Sequence, residues 1–232
     1  MARLLYDPGL LIQHIPRTGG TFVEDVIAQL KIPCHKMLVR KQLSTVKKHS
    51  LLFQYGTKQM ERANAIACFV RHPADYYSSV WRYMHECRMI SRTRLANLWN
   101  RWPWHPFRQA ALLYKPDFAE WVDAMTEHEP AWATRLFALY VGPECGEFCD
   151  FIGRTETLKA DLIELLIRFG CISNPDQIDL IDRAEPANVA LVSRVDIPNE
   201  LRERICREER VLIRRFYGPN TLAKRWYGSC PT

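Results

Sequence analysis

The sequence predicts an α/β protein with three layers, in which helices cover both faces of a mostly parallel central sheet. Two observations predict this class: short apolar runs of strand length alternate with helical segments, and the connections between strands are long enough to contain a helix. With 232 residues, the chain can bury a full core as one domain spanning 1–232. A hydrophobic share of 47% and a charged share of 25% exclude disordered, collagen-like and coiled-coil proteins.

The segment 10–31 predicts a strand, a glycine turn and a helix in direct succession. Its apolar run ends at Pro16, Gly19 and Gly20 follow, and a helix opens at Thr21. Glycines at this point allow a ligand to approach the backbone closely. The turn also directs unpaired N–H groups and the positive end of the helix dipole to one point, which favours an anion.

A second strand-to-helix junction follows the continuous apolar run Ala65–Val70, which is typical of a parallel strand covered on both faces. Arg71 comes directly after this run, and Pro73 is well placed to open a helix. Ser79 then lies roughly 9 Å along that helix. An arginine and a hydroxyl so placed can hold one phosphate from two directions, with Ser78 as the competing hydroxyl.

The remaining elements are predicted from periodicity and turn residues. They are a short strand within 33–39, a short helix within 56–62, an ordered loop at 97–108, helices at 118–125 and 131–140, a strand at 148–153, a helix at 157–169 closed by Gly170, and a last helix at 198–217.

Both junctions resemble the motifs of one enzyme family. The run Pro16-Arg17-Thr18-Gly19-Gly20-Thr21 resembles the 5'-phosphosulfate loop, PKTGGT, of sulfotransferases that use 3'-phosphoadenosine 5'-phosphosulfate (PAPS), with arginine in place of the usual lysine. Arg71, Pro73 and Ser79 have the spacing of the 3'-phosphate site in the same superfamily. The segment 151–158 resembles its GRxExL segment, and Asn188 lies where many members have an asparagine-containing loop.

The resemblance covers residues 10–218 and is closest to the glycan O-sulfotransferases of the heparan sulfate type. It implies a P-loop-NTPase-like sulfotransferase fold. It also implies that a sulfuryl group passes from PAPS to a hydroxyl of an acceptor, expected to be a carbohydrate. The product of the donor is adenosine 3',5'-bisphosphate (PAP), and the reaction is expected to require no metal. The residues expected to bind PAPS are Arg17, Thr18, Gly19, Gly20, Thr21, Phe22, Arg71, Ser79, Arg154 and Asn188.

Two residues are candidates for catalysis. Arg17 would stabilise the charge that develops on the leaving nucleotide, and its role should be electrostatic alone because a guanidinium does not give up its proton. His49 lies between the two phosphate motifs, where several members of the family place a catalytic histidine, and imidazole has a pKa suited to a general base. The alternative is that His49 is a solvated side chain of a basic loop, in which case His105 and Glu24 are the reserve bases.

The candidate acceptor site is the tryptophan-rich segment 99–108, with Arg92 and Arg94 just before it. Tryptophan faces stack on sugar or aromatic rings, and arginines bind carboxylates or sulfates. We therefore expect Trp102, Trp104, His105 and Arg108 to contact the acceptor. The alternative is that these tryptophans fill a core beneath a long loop.

Charge, hydropathy and cysteine usage bound the partners. A net charge of +6 suits anionic ligands, although it is also compatible with an ordinary solvated surface. The chain has no apolar run of about 18 residues and no leader pattern, which predicts a cytoplasmic protein without a transmembrane segment. Its eight cysteines form no CxxC pairs, so a zinc or disulfide scaffold is poorly supported; Cys145 and Cys149 would pair only in an oxidising compartment.

Two other functions are possible. An atypical nucleotide kinase would need a lysine after the second glycine and an acidic partner at a strand end, and the sequence has neither in the usual place. A non-catalytic polyanion binder would use Lys41, Lys47 and Lys48 together with the helix 198–217, but glutamates in that helix indicate a mixed solvated face. Nothing in the sequence favours nucleic acid as a partner.

Overall fold

The computed structural model describes residues 2–36, 61–90, 106–144, 146–185 and 195–218. The strands of its single sheet are β1 (Arg3–Leu5), β2 (Leu10–Ile12), β3 (Cys34–Lys36), β4 (Ala65–Val70) and β5 (Phe151–Arg154). The helices are α1 (Gly20–Gln29), α2 (Pro73–Ile90), α3 (Arg108–Leu112), α4 (Phe118–His128), α5 (Trp132–Val141), α6 (Leu158–Arg168), α7 (Pro175–Arg183), α8 (Asn199–Glu208) and α9 (Arg210–Phe216). A 3₁₀ turn at Thr155–Thr157 precedes α6.

The sheet has the strand order β3-β1-β2-β4-β5 and is mixed. Strands β2, β4 and β5 are parallel to one another, whereas β1 runs antiparallel to both β2 and β3. The α/β class is confirmed, but the expectation of a mostly parallel sheet was wrong. The reason is a strand that the sequence reading did not include: Arg3–Leu5 turns back on β2 through a tight hairpin closed by the Gly9 N–H to Leu5 carbonyl bond of 3.1 Å.

Helices cover both faces of the sheet. Alternate side chains of β4 point to opposite sides and are apolar, so each face has its own core. Ala67 and Phe69 face a core formed with α1, α6 and α7. Cys68 and Val70 face a larger core formed with α2, α4, α5, α8 and α9. The alternation follows from the two-residue period of a strand. Because β2, β4 and β5 are parallel, their carboxyl ends meet at one edge of the sheet, between the two helical layers.

The larger core is aromatic and fixes α2, the helix that follows Arg71. Tyr77 on α2 lies between Trp121 of α4 and Trp132 of α5, with ring centroids 5.6 and 5.4 Å away. The neighbouring Tyr76 packs edge-on against Phe137 at 4.8 Å. Such pairs stabilise a core beyond the area that they bury. Because these rings are buried on α2, that helix presents Ser79 to the sheet edge in one orientation.

The C-terminal helical segment is broken at Glu209, which lies between α8 and α9. Its carboxylate is fully buried and accepts hydrogen bonds from the Tyr77 hydroxyl (2.8 Å), the Ala133 N–H (2.9 Å) and the Thr134 N–H and hydroxyl (2.8 and 2.7 Å). The first N–H groups of a helix have no partner within it, so Glu209 caps α5 from a distant part of the chain. The expectation of one continuous helix at 198–217, with Glu209 on a solvated face, was wrong.

Several other predicted elements agree with the structure, and two differ. The helices α1, α2, α4, α5 and α6 and the strands β4 and β5 fall where the pattern places them, and Gly170 ends α6 in the left-handed conformation (φ 67°). The helix α7 was not predicted, and α3 begins at Arg108, within the expected loop 97–108. The predicted helix at 56–62 lies almost entirely outside the described residues.

Two cysteine thiols meet in the larger core, beside β4. Cys149 Sγ lies 3.6 Å from Cys68 Sγ, and both residues are buried. The hydrogen bond with Cys68, together with burial, raises the pKa of the Cys149 thiol. Cys149 is a free thiol in this structure, which does not support its pairing with Cys145, a residue outside the described part of the chain.

Among the described residues, no helix combines the length and the apolar character that crossing a membrane requires.

Candidate functional site

The turn between β2 and α1 is held by two residues in the left-handed region, Arg17 (φ 66°) and Gly19 (φ 83°). Such a φ is uncommon for a residue with a side chain. Thr18 lies between them, is buried, and donates its hydroxyl to the Ile15 carbonyl at 3.0 Å. Because its hydroxyl proton is used within the turn, Thr18 can donate to an anion through its backbone N–H only.

Neither glycine of the turn has room for a side chain. A Cβ on Gly19 would collide with Leu158, and a Cβ on Gly20 would collide with the His14 ring. The helix α1 starts at Gly20 without a side-chain cap, and its first ladder bond runs from Val23 N to the Gly19 carbonyl at 3.2 Å. The preceding N–H groups therefore remain for an anion at the positive end of the helix.

Thr21 and Phe22 differ in what they can contribute to this turn. The Thr21 side chain is exposed, whereas Phe22 packs into the core between α1 and the sheet. Phe22 was expected to bind the cofactor. Its side chain is buried in this core, so Phe22 can offer a ligand its backbone N–H only.

The second junction lies directly against this turn. Arg71, just beyond β4, donates from Nη1 to the Arg17 carbonyl at 3.2 Å, and Arg17 donates from Nε to the Ser79 hydroxyl at 3.1 Å. Residues 54 and 62 positions apart in sequence are thereby joined, because β2 and β4 are parallel neighbours with Ile12 opposite Ala67. Ser79, rather than Ser78, is the hydroxyl that faces Arg17.

The site is electrostatically positive. Burial lowers the pKa of Arg17, partly offset by the charge of Glu86, and burial likewise lowers the pKa of Arg71, partly offset by Asp75 and Glu156. Within the part of the chain that the structure describes, neither guanidinium forms an ion pair with a carboxylate. Half-buried charges are normally paired. Two adjacent cations at a helix N-terminus therefore favour an anionic ligand.

The segment after β5 supports the second junction. Glu156 accepts the His72 N–H at 2.7 Å with one carboxylate oxygen and the Tyr217 hydroxyl at 3.0 Å with the other. The Arg154 guanidinium lies over the Tyr217 ring, 5.3 Å from its centroid. Glu156 thus braces the start of α2. Arg154 stands at the same sheet edge as Arg71, because β4 and β5 are parallel and Val70 pairs with Arg154.

Glu24, a reserve base, is held by two partners on the β1 side of the turn. Its carboxylate lies 3.5 Å from Arg3 Nη2 and 3.6 Å from His14 Nδ1. Burial alone would raise the pKa of Glu24, but hydrogen bonds, with His14 first among them, and nearby positive charges, including Arg3, lower the pKa to about 2. A carboxylate this acidic accepts a proton poorly near neutral pH, which argues against Glu24 as the base.

Five of the predicted site residues lie outside the described residues: His49, Trp102, Trp104, His105 and Asn188. Their roles stay predictions. Arg108 is described and begins α3, directly after Phe107, a buried residue of the aromatic core.

No family model, curated protein or solved structure matches this chain. Its functional assignment therefore depends on the residues and geometry described above.

Two residues of the site were missed by the sequence reading. Arg17 Cζ lies 5.3 Å from the centroid of the Tyr83 ring, and His14 packs beneath Gly20. A signal for Tyr83 exists in the sequence, since it follows Ser79 by four residues and so shares its face of α2. His14 carries no comparable signal, because its contact depends on how β2 packs against α1.

Proposed function

We propose that the protein is a PAPS-dependent O-sulfotransferase that acts on a hydroxyl of an acceptor, expected to be a carbohydrate. One observation carries the proposal: Arg17 of the glycine turn is hydrogen-bonded to Ser79, and Arg71 to the Arg17 carbonyl, so the two motifs that resemble phosphate sites lie directly against each other. A P-loop-NTPase-like sulfotransferase fold is the matching fold proposal, with parallel β2, β4 and β5 carrying the site at their carboxyl ends.

The two junctions would hold the two ends of the donor. The N–H groups at the start of α1 and the Arg17 side chain would bind the 5'-phosphosulfate. Arg71 and Ser79 would bind the 3'-phosphate, with Arg71 able to donate two parallel hydrogen bonds. Arg154, at the end of β5, would add positive charge on the side away from β1.

The sulfuryl transfer is an in-line displacement, in which the acceptor oxygen forms a bond to sulfur as the bond from sulfur to the bridging phosphate oxygen breaks. Negative charge develops on that bridging oxygen, so fixed donors in the turn lower the barrier. The Arg17 guanidinium contributes as a charge rather than as an acid, because it keeps its proton even though burial lowers its pKa. The acceptor proton must go to a base, and His49 remains the candidate.

Calorimetry with PAP tests donor binding without needing the acceptor. We expect PAP to bind tightly and without magnesium, and Arg71→Ala to weaken binding about 10- to 100-fold, because a hydrogen bond to a charged group is worth about 1.5–3 kcal/mol. Arg183→Ala is the matched control, since its side chain is 83% exposed and lies on α7; it should bind PAP as the wild type does.

Two outcomes would contradict the proposal. Failure of the wild-type protein to bind PAP would exclude it, and magnesium-dependent binding of a nucleoside triphosphate in preference to PAP would favour the kinase alternative. Turnover is then measured with a labelled sulfate donor against a panel of glycans and small alcohols. Transfer to a glycan hydroxyl supports the carbohydrate acceptor, and transfer to small alcohols alone argues against it.

A further inference from the structure

The Arg17 side chain lies along one face of α2. Its Nε is 3.1 Å from the Ser79 hydroxyl, and its Cζ is 5.3 Å from the centroid of the Tyr83 ring. Ser79 and Tyr83 are four residues apart, so they are neighbours on the same face of the helix. The guanidinium group is therefore held at two points, by a hydrogen bond at one end and by an aromatic ring at the other.

The Tyr83 ring is itself fixed in place. It packs edge-on against Phe107, with ring centroids 6.0 Å apart, and Phe107 is buried. Burial, and then the neighbouring Cys87 with its hydrogen bond, raise the pKa of Tyr83 to about 12, so the phenol is neutral near pH 7. A neutral aromatic ring attracts a cation to its face. Tyr83 is thus a supported platform rather than a mobile surface ring.

We propose that Tyr83 is the positioning residue for Arg17 in sulfuryl transfer, and that this pairing explains why the chain carries arginine where the phosphosulfate loop usually has lysine. The inference builds on the proposed function. Arginine offers a planar group that stacks on a ring and an Nε–H donor that reaches Ser79 at the same time, whereas lysine has neither. The bond to Ser79 uses Nε, so both terminal nitrogens remain as donors for an anion.

Substitution of Tyr83 separates a positioning role from a structural one. In Tyr83→Leu we expect kcat to fall about 10-fold, with KM for PAPS changed less than about threefold, because losing a partly desolvated cation–π contact misplaces Arg17 in the transition state. Tyr83→Phe keeps the ring and should restore kcat to within about twofold of wild type. Tyr6→Leu, at an exposed tyrosine on the far side of β1, is the control and should leave kcat unchanged.

A double-mutant cycle tests the arginine–tyrosine match directly. Arg17→Lys should reduce kcat at least fivefold more in the wild-type background than in Tyr83→Leu, because the leucine variant has already lost the ring contact, which is one of the two contacts that lysine loses. Equal losses in the two backgrounds would overturn the proposal. Should Tyr83→Leu fail to fold, Tyr83→Met, which is also non-aromatic, replaces it in the cycle.

Nuclear magnetic resonance distinguishes failure of this inference from failure of the proposed function. In the donor-free wild-type protein, the Arg17 Hε resonance should be shifted by the Tyr83 ring current, should keep that shift in Tyr83→Phe and should lose it in Tyr83→Leu. An unshifted wild-type resonance overturns the pairing whatever the protein catalyses. A shifted resonance in a protein that does not bind PAP leaves the pairing in place and excludes the sulfotransferase proposal instead.

Discussion

Replacing Glu209 with alanine is expected to destabilise the fold more than any other single loss of a carboxylate described above. The substitution removes the acceptor of four hydrogen bonds and leaves the N–H groups of Ala133 and Thr134 and the Tyr77 hydroxyl buried. An unsatisfied buried donor costs about 1–3 kcal/mol, and breaking a buried charged network costs about 3–5 kcal/mol in total. We therefore expect the free energy of unfolding to fall by about 4 kcal/mol.

Urea unfolding, followed by tryptophan fluorescence and far-UV circular dichroism, measures this loss. With a denaturant dependence of about 2 kcal/mol per molar urea, the midpoint should fall by about 2 M. Glu208→Ala is the matched control: Glu208 is the exposed neighbour at the end of α8, and such a substitution usually changes stability by less than about 0.5 kcal/mol. If the midpoints of the two variants differ by less than about 0.5 M, Glu209 does not cap α5 as the hydrogen bonds indicate.

Three further substitutions test the site. Gly20→Ala should abolish PAP binding and lower stability by about 1–3 kcal/mol, since its methyl group would displace the His14 ring; Gly170→Ala, where nothing lies within 4 Å, should lose some stability from backbone strain yet bind PAP normally, and equal binding by both variants would refute the packing argument. The folded-state pKa of Glu24 is depressed from 4.5 to about 2, so its stabilisation is full above pH 4.5 and is lost as the pH falls toward 2. Urea midpoints of Glu24→Gln and wild type should accordingly converge over that range, and a constant gap would contradict the assignment. His49→Ala should cut turnover severely while PAP affinity stays at the wild-type value in calorimetry; normal turnover would remove His49 from the mechanism.

Local signals were sufficient for the two junctions that form the site. The apolar run predicts the strand β4, and Pro73 predicts the start of α2, so the residues of each element are sufficient to predict it. The glycines of the turn after β2 are also a local signal. Gly19 adopts a positive φ, and neither glycine leaves room for a Cβ. That Arg71 reaches the Arg17 carbonyl follows once β2 and β4 are taken as parallel neighbours.

Tertiary contacts decided what the sequence reading missed. The strand β1 has three residues and exists only through pairing with β2 and β3, so no window of sequence reveals it. The break at Glu209 interrupts an otherwise continuous helical pattern, because the carboxylate is drawn to the unpaired N–H groups of α5. The helix α7 did have a local signal, since Asn174 and Gln177 form a capping box and Pro175 is its first residue.

The hydrogen bond from Arg71 to the Arg17 carbonyl couples the junction after β4 to the turn after β2. An anion bound by the Arg71 guanidinium would compete with the Arg17 carbonyl for its N–H donors, and a change in the backbone at Arg17 would remove an acceptor from Arg71. A molecule carrying a single phosphate would contact only one of these two places, whereas a molecule with a phosphate at each end would contact both. Discrimination against mononucleotides with an unmodified ribose would then arise from the protein's own internal bond as much as from direct contact with the second phosphate.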